Sequence, residues 1–279
     1  MQVTIIGIGL IGGSMALALK EKGIATRIIG MDADKGHQKK ALELGLVDEI
    51  LDLPAAIEGS SLIIVAIPVN SSDILVPKLL DMVDKQVLMD VGSTKENIIN
   101  KLQAHPKRGR FVTTHPMWGT EYSGPEAAVK GAFVDKATVI CNKEESDSDA
   151  VELVENLYRS LGMHILYMDA AAHDLHAAYV SHISHITSFA LANTVLEKER
   201  EEDAIFELAS GGFESTVRLA KSNPQMWVPI FMQNRENILD VLNEHISQLR
   251  KFKSCLEKEN YEYLKELIEN ANKIKRIIK

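Results

Sequence analysis

Three spaced glycines near the start of the chain could let the backbone approach a phosphate group. Gly7, Gly9 and Gly12 follow an apolar run and precede a helix-forming segment. In a dinucleotide-binding βαβ unit the first glycine permits a tight turn, the second admits the pyrophosphate, and the third lets the helix pack closely on the strand. The helix that would begin at Leu10 and Ile11 would offer free N–H groups and the positive end of its dipole to the phosphates.

An acidic residue lies at the distance that such a unit requires. Asp32 follows Gly12 by 20 residues and closes a second apolar run, at 27–31. A carboxylate there would accept hydrogen bonds from both hydroxyls of the adenosine ribose and would repel a 2′-phosphate. Asp32 therefore predicts NAD, rather than NADP, as the cofactor, while Asp34 could be only a solvated turn residue.

A signal peptide or a membrane anchor is the alternative interpretation of this part of the chain. The first 19 residues carry no charged side chain, but four glycines interrupt them and no basic residue precedes them. Both features disfavour a leader or an anchor. We therefore expect the fold to begin with these residues and no membrane to be involved.

Polar clusters follow three further apolar runs. They are Val65–Pro68, Asp90–Lys95 and His115–Glu121. Each could be a plain polar loop, but ligands in open α/β sheets bind at the carboxyl ends of the strands, so successive strand-end clusters are candidates for one site. We expect Ile67 and Pro68 to lie beside the nicotinamide ribose.

A histidine-rich segment predicted to be helical lies in the second half of the chain. His182 and His185 are three residues apart, so they would be neighbours on one helix face. Histidines at this spacing can bind a metal ion, but only Asp174 offers a nearby carboxylate. The surrounding hydroxyl side chains favour a hydrogen-bonded polar face instead, and we expect no metal site.

A lone arginine follows a glycine pair further along the chain. Gly211 begins this segment, Arg218 lies within it, and Trp227 follows. Arg218 could be a solvated helix residue or a bidentate clamp for the carboxylate of a substrate.

Length and composition describe an ordinary globular protein. The 279 residues are 46% apolar and 25% charged with a net charge of −8, which suits two domains with a real core. The negative charge disfavours nucleic acid as a partner. Cys141 and Cys255 are far apart, so we expect neither a disulfide framework nor a zinc site, and a reducing cytoplasm is the favoured compartment.

Short apolar runs alternate with helical segments in the first part of the chain, which predicts an α/β fold with a mostly parallel sheet. The strand candidates are 2–6, 27–31, 62–66, 86–90, 111–114, 137–141 and 164–167. Amphipathic helical segments then follow at about 170–198, 202–210, 213–221, 224–251 and 255–278. We predict a Rossmann-type dinucleotide-binding domain at 1–167 and an all-α domain at 168–279.

Taken together, these motifs resemble the prephenate/arogenate dehydrogenase family. The resemblance extends over more than 200 residues with independent motifs in the same order. Besides the glycine loop, it rests on Gly92–Lys95, His115–Met117, Gly119–Glu121, Ser181–His185, Ser210–Phe213 and Arg218 through Trp227. It implies a Rossmann-type domain, a helical domain that forms a homodimer, and a site in the cleft between them.

The resemblance also implies a reaction, the NAD(P)-dependent oxidative decarboxylation of a cyclohexadienol. His115 would accept a hydrogen bond from the C4 hydroxyl of the substrate. Ser93 would hold His115 and that hydroxyl in register and would also contact the cofactor. Arg218 would clamp a substrate carboxylate, and His185 would help to position the substrate.

Further residues match positions that the family uses around this cleft. They are Thr120, Glu121 and His173, of which Glu121 would affect access and pairing more than chemistry. Gly211 and Trp227 belong to the motif around Arg218 and are expected to line the substrate site.

We expect prephenate as the substrate and 4-hydroxyphenylpyruvate, a precursor of tyrosine, as the product. Arogenate, or a β-hydroxy acid handled by an enzyme of similar two-domain build, is the alternative. A catalytically silent NAD-binding dimer is the non-enzymatic hypothesis. Ser184 and Ser215 replace a proline and an aspartate that are common in the family, which leaves the substrate preference open.

Overall fold

A computed structural model describes residues 1–199 and 209–277, and within them a single sheet of eight strands forms the centre of the fold. In space the strands follow the order β3-β2-β1-β4-β5-β6-β7-β8. Neighbouring strands are parallel except for β6 and β7, which are antiparallel. The strands are β1 (Gln2–Ile6), β2 (Arg27–Met31), β3 (Glu49–Ile50), β4 (Leu62–Val65), β5 (Val87–Asp90), β6 (Phe111–Pro116), β7 (Ala137–Cys141) and β8 (His164–Met168).

Helices follow most of the strands and then continue without strands to the end of the described chain. The first six are α1 (Leu10–Glu21), α2 (Lys35–Glu43), α3 (Leu53–Glu58), α4 (Val69–Met82), α5 (Glu96–Leu102) and α6 (Ser148–Ser160). The later ones are α7 (Ala170–Ala177), α8 (Ile183–Glu199), α9 (Gly211–Val217), α10 (Pro224–Gln233), α11 (Arg235–Glu257) and α12 (Tyr261–Ala271). A π-helical turn, Ala178–His182, joins α7 to α8. None of the helices in the described ranges is long and apolar enough to cross a membrane.

The sheet is covered on both faces because successive strand residues point in opposite directions. On one face Ile5, Ile64 and Met89 pack with helices α1 and α6. On the other face Ile63 and Leu88 pack with α4 and α5. The carboxyl ends of the parallel strands β1, β4, β5 and β6 therefore lie along one edge of the sheet.

The predicted α/β fold with a mostly parallel sheet is confirmed. The predicted strands are all present, some with ends shifted by a residue or two, but the two-residue β3 was not predicted. The helix predicted at 224–251 is wrong in one respect, because α10 ends at Gln233 and α11 begins at Arg235. The helix predicted at 202–210 lies outside the described residues except for its last two positions.

The chain forms two compact units, Met1–Asn234 and Arg235–Lys279. The first contains the sheet and helices α1 to α10. The second contains α11 and α12, which pack against each other. The boundary predicted between a nucleotide-binding domain and an all-α domain, after residue 167, lies within the first unit. This division into two functional domains stays a prediction.

Candidate active site

The glycine loop between β1 and α1 has room only where a ligand would need it. Gly7 has a φ of +91°, and a Cβ there would lie 2.3 Å from the carbonyl oxygen of Ala66. A Cβ at Gly12 would lie 1.9 Å from the carbonyl oxygen of Gly7, so helix and loop need both glycines. Around a Cβ at Gly9, in contrast, no described atom beyond its own chain neighbours lies within 4 Å. The loop therefore packs tightly against the protein at Gly7 and Gly12 and leaves space for a ligand at Gly9.

The beginning of α1 presents the backbone N–H groups of its first turn next to this open space. Gly9 is the N-cap residue, and among the described residues no side chain caps this end of the helix. Gly13 donates the first backbone hydrogen bond of the helix, 2.8 Å to the oxygen of Gly9. The N–H groups of Leu10, Ile11 and Gly12 precede it, so they are suited to the pyrophosphate of a dinucleotide.

Asp32, at the end of β2, is fixed beside this loop by backbone N–H groups. Its Oδ2 accepts a hydrogen bond from Ile8 at 2.9 Å, and its Oδ1 accepts one from Asp34 at 2.9 Å. Each carboxylate oxygen has a further lone pair, and the side chain keeps 13% of its surface exposed. Asp32 can therefore still accept the ribose hydroxyls, so the loop, the helix start and this carboxylate fit NAD.

Ile67 and Pro68 lie where β4 passes into α4, on the other side of the glycine loop. Pro68 is the N-cap residue of α4, and the Cγ2 atom of Ile67 would lie 2.8 Å from a Cβ at Gly7. The predicted neighbours of the cofactor thus flank the loop in space.

His115, on β6 at the same sheet edge, contacts a histidine from α7. Its Nδ1 lies 2.9 Å from Nε2 of His173, and Nδ1 of His173 lies 2.7 Å from Oδ1 of Asp174. His173 and Asp174 are each only 2% exposed. These three side chains, named here the Asp–His–His row, run from a buried carboxylate to the half-buried imidazole of His115.

Asp174 also holds the beginning of α5. Its Oδ1 accepts a hydrogen bond from the backbone N–H of Lys95 at 2.9 Å, and its Oδ2 accepts one from Glu96 at 3.0 Å. A carboxylate from α7 thus takes the place of an N-cap side chain, where it satisfies two otherwise unpaired donors at the positive end of the helix. The row is thereby attached to the loop that carries Ser93.

A buried ion pair lies beneath the row and fixes β6 against β5. Lys95 is fully buried and donates to the carboxylate of Asp90 and, at 2.8 Å, to the carbonyl oxygen of Thr114. The Thr114 hydroxyl donates to the backbone oxygen of Asp90 at 2.5 Å. A buried charge is stable only when it is paired in this way, and the residue before His115 is held by it.

The surroundings of His115 keep its imidazole uncharged. Burial is the main reason that its pKa lies well below the usual 6.5, and the charges of His173, Lys95 and His182 lower the pKa further. At neutral pH the ring therefore has a lone pair with which to accept a hydrogen bond.

Helices α8 and α10 form an aromatic cluster that includes His185, Trp227 and Phe231. His185 stacks on Trp227 with ring centroids 3.4 Å apart, and Phe231 lies 5.4 Å from Trp227. Nδ1 of His185 donates to the carbonyl oxygen of Ser181 at 3.0 Å, so Nε2 is left as an acceptor. Burial lowers the pKa of His185, and the charge of Arg218 acts in the same direction.

Arg218 and Glu121 meet although 97 residues separate them in sequence. Nη1 of Arg218 donates to Oε2 of Glu121 at 2.6 Å. The arginine side chain is 48% exposed and the glutamate side chain 9%. Thr120 lies beside this pair, where its hydroxyl accepts from the N–H of Tyr122 at 3.3 Å.

Two of the predicted site residues have no described side-chain interaction that supports their roles. Ser93 is half-buried in the loop before α5, and among the residues that the structure describes no hydrogen bond joins it to His115. Its role in holding His115 stays a prediction, since His173 is the observed partner. Gly211, the first residue of α9, is exposed. Within the described ranges no three metal-binding side chains converge.

Sequence reasoning missed the structural importance of three residues. The sequence indicates Asp174 only as a candidate metal ligand, and Lys95 only as part of a motif. It predicts Asn234 to lie inside a long helix, yet the side-chain amide of Asn234 donates to the carbonyl oxygen of Asp174 at 2.6 Å. The sequence signals for the row are the adjacency of Asp174 to His173 and the family positions that His115 and His173 match.

A phosphate-binding helix start and, a few strands away at the same sheet edge, an imidazole that is uncharged at neutral pH are what a nicotinamide-dependent dehydrogenase requires. Two family models match this chain: "Prephenate dehydrogenase, nucleotide-binding domain" at residues 15–167 and "Prephenate dehydrogenase, dimerization domain" at residues 169–270. The chain belongs to the prephenate dehydrogenase family.

Individual relatives agree with this assignment. The prephenate dehydrogenase of Bacillus subtilis (strain 168) is 32% identical over 266 residues, which are 94% of this chain and 72% of the relative. A cyclohexadienyl dehydrogenase of Zymomonas mobilis is 28% identical and is covered to 96% by the whole of this chain. The crystal structure of prephenate dehydrogenase from Aquifex aeolicus, with hydroxyphenyl propionate and NAD+, superposes with a TM-score of 0.90 at 30% identity over 99% of this chain and 97% of that one.

Proposed function

We propose that this chain catalyses the NAD-dependent oxidative decarboxylation of prephenate to 4-hydroxyphenylpyruvate. The observation that carries the proposal is the uncharged, half-buried His115 at the sheet edge that also bears the glycine loop. Family membership and the similarity to a structure that holds NAD+ and a hydroxyphenyl ligand support it. Tyrosine biosynthesis is the pathway that this reaction would serve.

The chemistry asks little of the protein beyond orientation and polarisation, because formation of an aromatic ring drives it. NAD, when bound, supplies the acceptor for the hydride that leaves C4 of the substrate. His115 would accept the hydrogen bond of the C4 hydroxyl as electron density moves toward the ring. A positioned acceptor of this kind contributes about 10²–10⁴ to the rate.

Arg218 would bind a carboxylate of the substrate without having to leave Glu121. A guanidinium carries five N–H donors, and only one of its nitrogens donates to Glu121 in the structure. Half of the arginine side chain is exposed, so the remaining donors can form the bidentate arrangement that carboxylates favour. We place Thr120, His185, Gly211 and Trp227 around the same substrate.

A spectrophotometric assay tests the proposal directly. Purified protein with prephenate and NAD should produce NADH, and NADP should be used far less well because Asp32 repels its 2′-phosphate. Arogenate in place of prephenate tests the alternative substrate. Absence of NADH with both cyclohexadienols would overturn the proposal and favour a silent NAD-binding protein.

The variant His115→Asn separates binding from chemistry. We expect its affinity for NAD to be unchanged while kcat falls by about 10²–10⁴, because the acceptor for the hydroxyl is lost. Near-normal turnover of this variant would remove His115 from the mechanism.

The proposal includes an assembly and a location. The match of residues 169–270 to a dimerization domain supports a homodimer formed through the helical part. We infer that residues 1–167 bind the nucleotide, that residues 168–279 complete the substrate site and the dimer, and that the enzyme works in the cytoplasm.

A further inference from the structure

We propose that His173 and Asp174 are positioning residues that set the tautomer of His115 and share the positive charge that develops on it. This inference rests on the proposed function, in which His115 faces the hydroxyl of the substrate. It assigns the Asp–His–His row a role as a relay of two imidazoles that ends on a carboxylate.

The direction of the row follows from its donors and acceptors. A carboxylate has only acceptors, so Nδ1 of His173, 2.7 Å from Asp174, must carry its hydrogen. Nε2 of a neutral His173 is then an acceptor, and Nδ1 of His115, 2.9 Å away, must donate to it. Nε2 of His115 is left with a lone pair, which is what an acceptor for the substrate hydroxyl needs.

While His173 is neutral, the opposite direction requires Asp174 to be a donor, and the other contacts of Asp174 disfavour this. The N–H groups of Lys95 and Glu96 both point at the carboxylate oxygens, at 2.9 and 3.0 Å. A proton on Asp174 would compete with these donors at the positive end of α5. With the row reversed, Nε2 of His115 would carry hydrogen and could not accept one.

The row also determines where charge goes during the reaction. As the hydroxyl proton moves toward Nε2 of His115, the imidazole becomes positive, and its Nδ1–H bond to His173 and the next bond to Asp174 spread that charge toward a carboxylate. The hydride leaves C4 for NAD+, the bond to the ring carboxylate breaks to release CO2, and its electron pair enters the ring. The borrowed proton returns to the phenol oxygen, so the net reaction releases none.

Several charged or titratable groups face the row. Lys95 approaches from the loop before α5, paired with Asp90 on β5, and His182 approaches from the turn after α7. The positive charges of Lys95 and of a protonated His182 disfavour a positive His115. Asp174, in contrast, is the anion at the end of the row and is hydrogen-bonded to His173. Removing its charge should therefore change both the rate and the pH at which His115 is protonated.

The central test is Asp174→Asn, in which an amide N–H can donate to Nδ1 of His173 and reverse both tautomers. We expect kcat to fall by about 10²–10⁴ with KM and NAD affinity nearly unchanged. The acid limb of the kcat/KM profile should move to lower pH because an anion near the row is lost. Asp169→Asn is the matched control, since Asp169 caps the same helix through Ala172 at 2.8 Å and lies outside the row. That control should retain wild-type turnover.

A second variant tests whether a loss of activity in Asp174→Asn comes only from a weakened contact between residue 174 and the beginning of α5. His173→Asn leaves Asp174 bound to the N–H groups of Lys95 and Glu96 but interrupts the row, and its kcat should fall to a similar extent. If either folded variant keeps kcat within about threefold of the wild type, or loses activity only through KM, the relay is overturned.

A spectroscopic measurement tests the tautomers independently of turnover. In the wild-type full chain, ¹⁵N NMR of labelled histidines should show hydrogen on Nδ1, and none on Nε2, for both His115 and His173 at neutral pH. Hydrogen on Nε2 of His115 would overturn the relay even if prephenate is the substrate. Correct tautomers in a protein that oxidises no cyclohexadienol would instead refute the proposed function alone.

Discussion

Arg218 on the segment after α9 and Glu121 on the segment after β6 form an ion pair of 2.6 Å that joins the helical part of the first unit to the strand bearing His115. The cation that is proposed to bind the substrate is therefore oriented before the substrate arrives. Pre-organisation of this kind lowers the entropic cost of binding.

Replacing the cation tests its role in binding. We expect Arg218→Ala to lose roughly 2–5 kcal/mol of transition-state stabilisation in kcat/KM, mostly as a higher KM for prephenate. Arg218→Lys keeps the charge but loses the planar guanidinium group, so its kcat/KM should lie between those of the wild type and the alanine variant. Steady-state kinetics measure both. An unchanged KM in the alanine variant would contradict the clamp.

Replacing the anion should act in the opposite direction. Glu121→Gln keeps an acceptor for Arg218 but removes a negative charge next to the site of an anionic substrate. We expect KM for prephenate to fall by about two- to fivefold at low salt, an effect on the order of 1 kcal/mol, and the difference to shrink as the salt concentration rises. A higher KM at every salt concentration would show that the glutamate charge is needed to orient Arg218.

Acid should destabilise the protein through its buried imidazoles. Burial lowers the pKa of His182 to about 4, whereas the unfolded value is near 6.5. The folded state thus favours the neutral ring, so its contribution to stability is complete above about pH 6.5 and is lost as the pH falls toward 4. By pH 5 the free energy of unfolding should be lower by about 2 kcal/mol from this group.

Urea unfolding at pH 7 and pH 5 measures this effect. In His182→Asn the amide oxygen can take the place of Nδ1 as acceptor for Asn234, which donates to it at 3.1 Å, and the pH dependence should be reduced. His176→Asn, at an exposed position on the adjoining helix α7, should leave the pH dependence of stability unchanged. If the free energy of unfolding changes equally between pH 7 and pH 5 in the wild type and both variants, His182 is excluded as the source of the pH dependence.

The glycine loop offers a contrast between folding and binding. A methyl group at Gly12 would collide with the backbone oxygen of Gly7, so Gly12→Ala should cost about 1–3 kcal/mol of stability. Gly9→Ala meets no described atom within 4 Å and should fold normally, yet its affinity for NAD should fall by about tenfold or more because the methyl occupies the approach of the pyrophosphate. Thermal unfolding and NAD titration distinguish the two, and unchanged affinity in Gly9→Ala would place the pyrophosphate elsewhere.

Much of the sheet could be predicted because its strands are buried runs of branched apolar residues bounded by turn signals. The strands at 2–6, 27–31 and 137–141 begin and end where the sequence predicts. β3 could not be predicted, since Glu49–Ile50 is too short to form a pattern. The helix break at Asn234 was equally hidden, because apolar residues continue at helical spacing on both sides of it.

The contacts within the site were harder to predict than its residue types. Lysine is rarely buried, and the ion pair with Asp90 together with the hydrogen bond to the carbonyl oxygen of Thr114 explains why Lys95 is fully enclosed. The contact of Asp174 with the N–H of Lys95 joins residues 79 apart, and no local pattern encodes such a pairing. Motifs identified His115 and Arg218 and also named His173 and Glu121 as cleft residues, but they did not show that His173 contacts His115 or that Glu121 pairs with Arg218.

One carboxylate that serves both a helix start and an imidazole makes the two halves of this chain interdependent. The strand that bears His115 and the loop that receives the nucleotide both precede residue 167, yet Asp174 and His173 come after it. The first 167 residues contain the glycine loop and Asp32, but they lack His173, the only hydrogen-bonding partner of His115 observed among the described residues. With the roles proposed for His115, His173 and Asp174, oxidation of the substrate would depend on both halves of the chain, and an exchange of either half would have to preserve the contact between His115 and His173.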